Sequence, residues 1–175
     1  MQAFIDEAIE HSQTHGTTEL CTFNAGDIRG AVKTNRDYNL VVLGSIGPVL
    51  GSISGTLNAV TQCLSRPGYV LLDDGYNKGG VTTSMHDIPD RVQTIAEIED
   101  SGFEILEEFV YDQEEIKSSD MKIFKNIKKR AIELAQRHPE QKAIFQKYIQ
   151  DQIRGNYVLE NEYVCVTWLL KLRIV

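Results

Sequence analysis

Three short segments hold the glycine and polar residues that could bind a ligand or carry chemistry. They are residues 24–30 (NAGDIRG), 44–51 (GSIGPVLG) and 73–80 (DDGYNKGG). The second segment has no lysine and lacks the G-x-G-x-x-G spacing, so it matches neither a P-loop nor a dinucleotide fingerprint. Glycine, aspartate and asparagine suit a ligand with hydroxyls, an amino-purine or a positive charge better than a polyphosphate. The alternative is that the glycines only let the chain turn from a strand into a helix.

The elements that must position these segments alternate between strand and helix. Apolar or alternating runs predict strands at 19–27 (ELCTFNAGD), 38–44 (YNLVVLG), 69–74 (YVLLDD), 103–111 (FEILEEFVY) and 161–175 (NEYVCVTWLLKLRIV). Continuous apolar strands are typical of a parallel sheet that helices cover. The last strand is predicted to pair antiparallel with 103–111. Because ligands of open parallel sheets sit at the carboxyl ends of the strands, we expect the three segments to converge there.

Helices are predicted between the strands. Leu57, Val60 and Leu64 form one apolar stripe, and residues 66–68 (RPG) are expected to end that helix. Asp87 is a candidate cap for the next helix, with Pro89 in its first turn and Gly102 just past its end. Two amphipathic helices separated near Pro139 form a predicted helical insertion at 117–155.

Bulk properties restrict the class of protein. The 175 residues, 42% of them hydrophobic, predict one α/β domain over 1–175. The formal net charge of -7 argues against nucleic acid as a partner. No apolar run is long enough to cross a membrane and the first residues do not match a signal peptide, so we expect a cytoplasmic protein.

The cysteines and histidines give no strong site. Cys21, Cys63 and Cys165 are widely spaced and are expected to be reduced and buried. His11 and His15 have metal-competent spacing on a helix, but no third ligand is evident, so no metal is expected. Asp73 and Asp74 are neighbours in a strand, point to opposite faces and are therefore not expected to act as a catalytic pair.

The order of these motifs resembles the class I S-adenosylmethionine-dependent methyltransferases. The segment NAGDIRG resembles the short aspartate-containing loop after that family's third strand, and YNLVVLGSIG resembles its fourth strand. Residues 64–76 (LSRPGYVLLDDGY) resemble the family's RPGG turn and fifth strand, with Tyr69 in place of the second glycine. The resemblance covers nearly the whole chain, beginning in the helix after the family's second strand. It implies a Rossmann-like methyltransferase sheet, mostly parallel, with an antiparallel C-terminal strand.

The resemblance also implies site residues. Asp27 would accept a hydrogen bond from the cofactor's adenine amino group, and the backbone amide of Ile28 would face the ring. The sulfonium and methionine end of S-adenosylmethionine would lie against three residues at the end of the fourth strand, namely Gly44, Ser45 and Ile46. Asp74 and Tyr76 would face a small-molecule methyl acceptor, with Asp74 orienting it or taking its proton if partial burial raises its pKa. The alternative for Asp74 is a turn residue before Gly75.

The departures from the family concern its first two strands. The glycine-rich cofactor loop and the acidic ribose-binding residue are both missing, so the chain resembles an N-terminally truncated methyltransferase. In the family the first strand lies centrally, and its loss would leave strand edges unpaired. We therefore expect a rearranged sheet or a homodimer. Two functions remain open at this point: methyl transfer, for which the chain alone lacks the family's glycine-rich cofactor loop, and a non-catalytic dimerising or ligand-binding remnant. Another nucleotide-binding α/β fold is a third possibility.

Overall fold

The computed structural model describes residues 2–79 and 88–173. Its helices and strands, in chain order, are α1 (Gln2–Thr14), α2 (Ile28–Thr34), β1 (Tyr38–Gly44), α3 (Ile53–Thr61), β2 (Leu64–Asn77), α4 (Arg91–Asp100), β3 (Phe103–Val110), α5 (Gln113–Arg137), α6 (Lys142–Asn161) and β4 (Tyr163–Leu172). Short 3₁₀ turns occupy Thr18–Leu20, Pro48–Leu50 and Pro139–Gln141.

The four described strands form one mixed sheet in the order β1-β2-β4-β3. β1 and β2 pair in parallel, while β4 pairs antiparallel with both β2 and β3. β1, β2 and β3 therefore run in the same direction, with β4 inserted between β2 and β3. The antiparallel pairing of 103–111 with the last strand is confirmed, although β4 lies inside the sheet and β3 forms the edge.

One face of the sheet carries the hydrophobic core. Leu57 and Val60 of α3 and Ile98 of α4 are buried in a single cluster with β2, β3 and β4. The cluster includes Val70, Leu72, Phe103, Val166, Trp168 and Leu170 from the strands. Val70 and Leu72 of β2 and alternate residues of β4 from Val166 to Leu172 enter this cluster, in keeping with the two-residue period of a strand.

The opposite face of the sheet is much more open. Val42 of β1 pairs with Leu71, Leu71 with Leu169, and Leu169 with Glu107, so this row crosses all four strands. Side chains at both ends of this face are exposed: Val42 and Phe109 are each 61% exposed. Helix α1 packs against the 3₁₀ turn at Thr18–Leu20.

The predicted strand at 19–27 is wrong. Residues Thr18–Leu20 form a 3₁₀ turn and residues 21–27 are irregular. A strand needs a neighbour to pair its backbone groups, and no described strand lies beyond β1 to supply one. Leu20 and Cys21 are accordingly exposed. Of the three cysteines expected to be buried, Cys63 is buried, Cys165 is half-buried and Cys21 is exposed.

The predicted helix end at 66–68 is also wrong. Helix α3 ends at Thr61, and Leu64 already belongs to β2. The β1–β2 register jumps from Tyr38↔Leu64 to Leu40↔Tyr69, which leaves Pro67 in an irregular stretch of the strand. Such irregular stretches are where a strand tolerates proline, because proline cannot donate a ladder hydrogen bond.

The later helices occur where the sequence predicts them, with different ends. The candidate cap Asp87 lies outside the described residues, and Asp90 caps α4 through a capping box with Gln93. Gly102 follows α4 with a positive φ of 84°. The helical pair is longer than 117–155, since Asp112 caps α5 and α6 continues to Asn161.

Candidate functional site

Two of the three ligand-type segments meet at the carboxyl end of β1 and β2. Ser45 Oγ donates to Asp73 Oδ2 at 2.6 Å and Ser45 N donates to Asp73 O at 3.1 Å, which joins the second segment to the third. Both of these segments line the cavity described next, and no residue of the first segment does. The first segment runs into helix α2, which contacts the 3₁₀ turn at Pro48–Leu50. The expected convergence is therefore confirmed for two of the three segments.

A cavity of about 610 Å³ opens at this end of the sheet. Its walls come from the loop between β1 and α3, the first residue of α3, the end of β2, the segment before α4, one residue within α4, helix α6 and the first residue of β4. The residues that line it are Gly47, Pro48, Gly51, Ser52, Ile53, Asp74, Gly75, Ile88, Pro89, Glu97, Gly155, Val158, Leu159 and Tyr163. Its size suits a small molecule.

Asp74 lines this cavity with half of its carboxylate held by the protein. Its Oδ1 accepts a hydrogen bond from the Tyr163 hydroxyl at 2.5 Å and another from the Gly75 backbone N–H at 2.9 Å. Its Oδ2 makes no hydrogen bond within the described part of the chain. The carboxylate is thus fixed in orientation and keeps one oxygen for a ligand.

Tyr163 is a site residue that the sequence analysis did not identify. Burial, followed by the nearby Asp74 carboxylate, raises the pKa of its phenol far above the usual range, so the hydroxyl stays protonated and donates. Sheet topology could have identified Tyr163. β4 runs antiparallel to β2, so β4 begins at the end of the sheet where β2 finishes, and its first residue lies beside the end of β2.

Gly75 provides the space for this arrangement. A Cβ atom at this position would overlap the carbonyl oxygen of Val164 and lie 2.6 Å from the Tyr163 ring. The close approach of Tyr163 to β2 therefore requires glycine.

Glu97 of α4 is the second carboxylate in the cavity wall, and the sequence analysis also missed it. Its Oε2 accepts a hydrogen bond from the backbone N–H of Ser54, in the first turn of α3, at 3.0 Å. The N-terminus of a helix favours a negative charge at this place. As with Asp74, one carboxylate oxygen is engaged and the other makes no hydrogen bond among the described residues.

Ser45 and Asp73 form a separate polar group beside the end of β1. Ser45 has a positive φ of 48°, which is uncommon for a residue with a side chain. Asp73 Oδ1 accepts from Thr167 at 3.2 Å, while Oδ2 accepts from Ser45. Asp73 and Asp74 therefore hold different partners.

Asp27 and Ile28 lie at the start of α2. Asp27 caps the helix by accepting from Arg29 N at 2.9 Å, and its carboxylate also pairs with the Arg29 guanidinium at 2.7 Å. These hydrogen bonds from Arg29 hold the pKa of Asp27 below its usual range. Ile28 packs against the core. Asp27 is exposed and charged, but Arg29 already occupies part of its carboxylate.

Tyr76 lies away from the cavity wall. It is only 8% exposed and packs against Trp168, with ring centroids 6.3 Å apart. The structure thus brings Asp74 to the cavity and places Tyr76 in the core.

The carboxyl end of β2 is acidic. Burial is the main cause that raises the pKa of Cys165 to about 11, and Asp73, Asp120 and Asp74 add to it in that order. Asp120, on α5, is itself unusual: its buried Oδ2 has no hydrogen-bond partner among the described residues, and burial raises its pKa. A positively charged group would be favoured electrostatically at this end of the sheet.

The described ranges hold neither a candidate metal site nor a membrane-spanning helix. Residues 2–79 and 88–173 contain no group of three or more His, Cys, Asp or Glu side chains that could hold a metal ion. His11 lies 3.9 Å from Glu7 on the exposed surface of α1. Within the same ranges, no helix has the length and apolar character needed to cross a bilayer.

Comparison with known proteins gives matches at the level of structure. No protein-family model and no curated protein sequence matches the chain. A methyltransferase from Geobacter sulfurreducens, solved in complex with S-adenosyl-L-homocysteine, matches with a TM-score of 0.75 and 15% identity. The match covers 98% of this chain and 72% of that one.

Two further solved structures give the same result. An S-adenosylmethionine-dependent methyltransferase from Thiobacillus denitrificans, also with S-adenosyl-L-homocysteine, matches with a TM-score of 0.74, 15% identity and coverage of 98% and 73%. The protein YjhP from E. coli matches with a TM-score of 0.78, 16% identity and coverage of 97% and 73%. The chain therefore has the Rossmann-like fold of the S-adenosylmethionine-dependent methyltransferases, as its sequence resemblance predicted.

Proposed function

We propose that this protein transfers a methyl group from S-adenosylmethionine to a small molecule bound in the Asp74 cavity. The observation that carries this proposal is Asp74 itself, a carboxylate that Tyr163 and Gly75 hold at the wall of a cavity at the carboxyl end of β2. Ligands of open α/β sheets bind at this end of the strands. The structural neighbours solved with S-adenosyl-L-homocysteine support the choice of cofactor.

The residues present fit one end of this cofactor well. Its sulfur and its amino group are both positively charged, and Asp73 and Asp120 provide negative charge around Cys165, which pairs with Gly75 at the end of β2. The unpartnered Oδ2 of Asp120 is a buried acceptor that a charged donor could satisfy. At the other end, the carboxylate of Asp27 has enough acceptor sites to bind both Arg29 and an adenine amino group.

We infer the following roles for the chain's own residues. Gly44, Ser45 and Ile46 would line the sulfur and methionine side, and Asp27 with Ile28 would hold the adenine. When bound, S-adenosylmethionine supplies a methyl group on a positively charged sulfur. Asp74 would orient the acceptor and take its proton through the free Oδ2, while Tyr163 keeps the carboxylate in one orientation. Tyr76 would have an indirect role, because it packs in the core and supports the end of β2.

Titration calorimetry with S-adenosylhomocysteine and with adenosine tests the cofactor assignment. We expect S-adenosylhomocysteine to bind with a dissociation constant on the order of micromolar, and adenosine to bind more weakly because it lacks the amino-acid tail. Equal binding of the two would favour another nucleotide-binding function. No heat with either ligand would overturn the proposal. The predicted cytoplasmic location belongs to this same proposal.

A second candidate function, a dimerising module, is favoured by the free edge of β1. No described strand pairs with that edge, and β1 (YNLVVLG) has no charged residue. The opposite edge, β3 (FEILEEFV), carries three glutamates. Charges protect an edge strand against pairing with another chain, so β1 is the edge open to it. A second copy fits, because two β1 strands can pair antiparallel about a two-fold axis without opposing like charges.

A further inference from the structure

Two carboxylates line the cavity, and each uses only one of its two oxygens in hydrogen bonds with the described residues. Asp74 uses Oδ1 for its hydrogen bonds with Tyr163 and Gly75, and Glu97 uses Oε2 for its hydrogen bond with Ser54. In each case the second oxygen has no partner among the described residues. Both side chains line the same space. Two fixed carboxylates, each with a free oxygen, can therefore act on one ligand.

Nothing within the described wall neutralises these charges. The lining residues named above include no lysine, arginine or histidine. The hydrogen bonds that the carboxylates accept come from a phenol and from backbone amides, which carry no formal charge. Among the described lining residues, no cation compensates the two carboxylates, and a cationic ligand group would do so.

The rest of the wall is apolar. Pro48, Ile53, Val158 and Leu159 come from three different parts of the chain and line the same cavity. Gly155 of α6 adds width, since a Cβ atom there would meet nothing within 4 Å. An apolar ligand body can be buried here while a charged group meets the carboxylates.

We propose that this cavity selects a small amine in its cationic form, with an apolar body that lies against α6 and the loop before α3. The inference rests on the proposed function, because it names the acceptor class for the same site. The ammonium group would donate to the free oxygens of Asp74 and Glu97. Loss of one ammonium proton to Asp74 Oδ2 would then free the nitrogen lone pair that accepts the methyl group. Hydrogen bonds between charged groups are shorter and stronger than neutral ones, so a neutral analogue of the same shape should bind less well.

Protein-detected NMR titration of the chain with benzylamine, benzyl alcohol and benzoate tests this selectivity at pH 7. The three probes share a ring and differ in charge. We expect benzylamine to bind about tenfold or more tightly than benzyl alcohol, and benzoate to bind more weakly still. The shifted signals should include Gly75 and Gly155 in the cavity wall.

Variants of the two carboxylates provide the control. Asp74→Asn and Glu97→Gln should each reduce benzylamine affinity about tenfold and leave benzyl alcohol affinity unchanged. Glu99→Gln is the matched variant, because Glu99 lies on the same helix but is exposed and outside the cavity wall. It should bind benzylamine like the wild type. Retained strand signals in the NMR spectrum show that each variant is folded, and two carboxylate variants guard against the failure of one.

The outcomes separate this inference from the proposed function. Benzylamine that binds no better than benzyl alcohol would overturn amine selectivity, even if S-adenosylhomocysteine binds. Benzylamine selectivity without S-adenosylhomocysteine binding would retain the amine site and remove the methyltransferase assignment. Equal losses in Glu99→Gln and Glu97→Gln would also contradict the inference, because they would indicate a general charge effect.

Discussion

At the scale of single residues, the site depends on the contact between β2 and the start of β4. Asp74 could be selected from the sequence because residues 64–76 resemble the family's fifth strand, and Asp74 lies at the end of that resemblance. Tyr163 and Glu97 could not be selected in the same way. Their relevance arises from the β2–β4 register and from the packing of α4 against α3, both of which are contacts between distant parts of the chain.

Gly75→Ala tests the close packing at this contact. The added methyl group would overlap Val164 O and the Tyr163 ring, so we expect a loss of about 3 kcal/mol in the free energy of unfolding. Gly30→Ala is the matched control, because its Cβ would meet nothing within 4 Å on the short helix α2. Urea denaturation should show that Gly30→Ala is at least as stable as the wild type. Equal stability of Gly75→Ala and the wild type would show that Tyr163 is not held as described.

At the scale of secondary-structure elements, local patterns succeeded where local signals decide the outcome. The β-branched run at 38–44 became β1, and the amphipathic stripes after residue 113 became α5 and α6. The strand prediction for residues 19–27 was wrong because a strand is stable only when a neighbouring strand pairs with its backbone. The helix end predicted at residues 66–68 (RPG) was wrong because proline and glycine occur in irregular strands as readily as at helix ends.

Substitutions at the two sheet edges test which strand joins a second copy. Val42 and Phe109 are both 61% exposed and lie in opposite edge strands, so either can accept a lysine without loss of core packing. Val42→Lys would place like charges close together across the proposed β1–β1 pair. We therefore expect it to convert the proposed dimer to a monomer. Phe109→Lys should leave the dimer intact.

Sedimentation velocity gives the oligomeric state of both variants and of the wild type. A wild-type monomer at every concentration tested would exclude the dimer. Loss of the dimer in Phe109→Lys but not in Val42→Lys would move the interface to the β3 side of the sheet.

At the scale of the whole molecule, the sequence order of the motifs predicted the fold better than any single motif did. The antiparallel last strand and the alternation of strands and helices are features of topology, and the structural matches confirm them. The uncovered sheet face could not be predicted from residues 38–44 or 69–74. Their apolar side chains are the same whether or not a second layer covers them.

The proposed function requires the cofactor and the acceptor to meet at the carboxyl end of β1 and β2. A crystal structure of the chain with S-adenosylhomocysteine would show where the cofactor lies. We predict that its sulfur lies beside Gly44, Ser45 and Ile46 and faces the opening of the Asp74 cavity. A ligand bound elsewhere on the chain, or with its sulfur turned away from that cavity, would refute the proposed function.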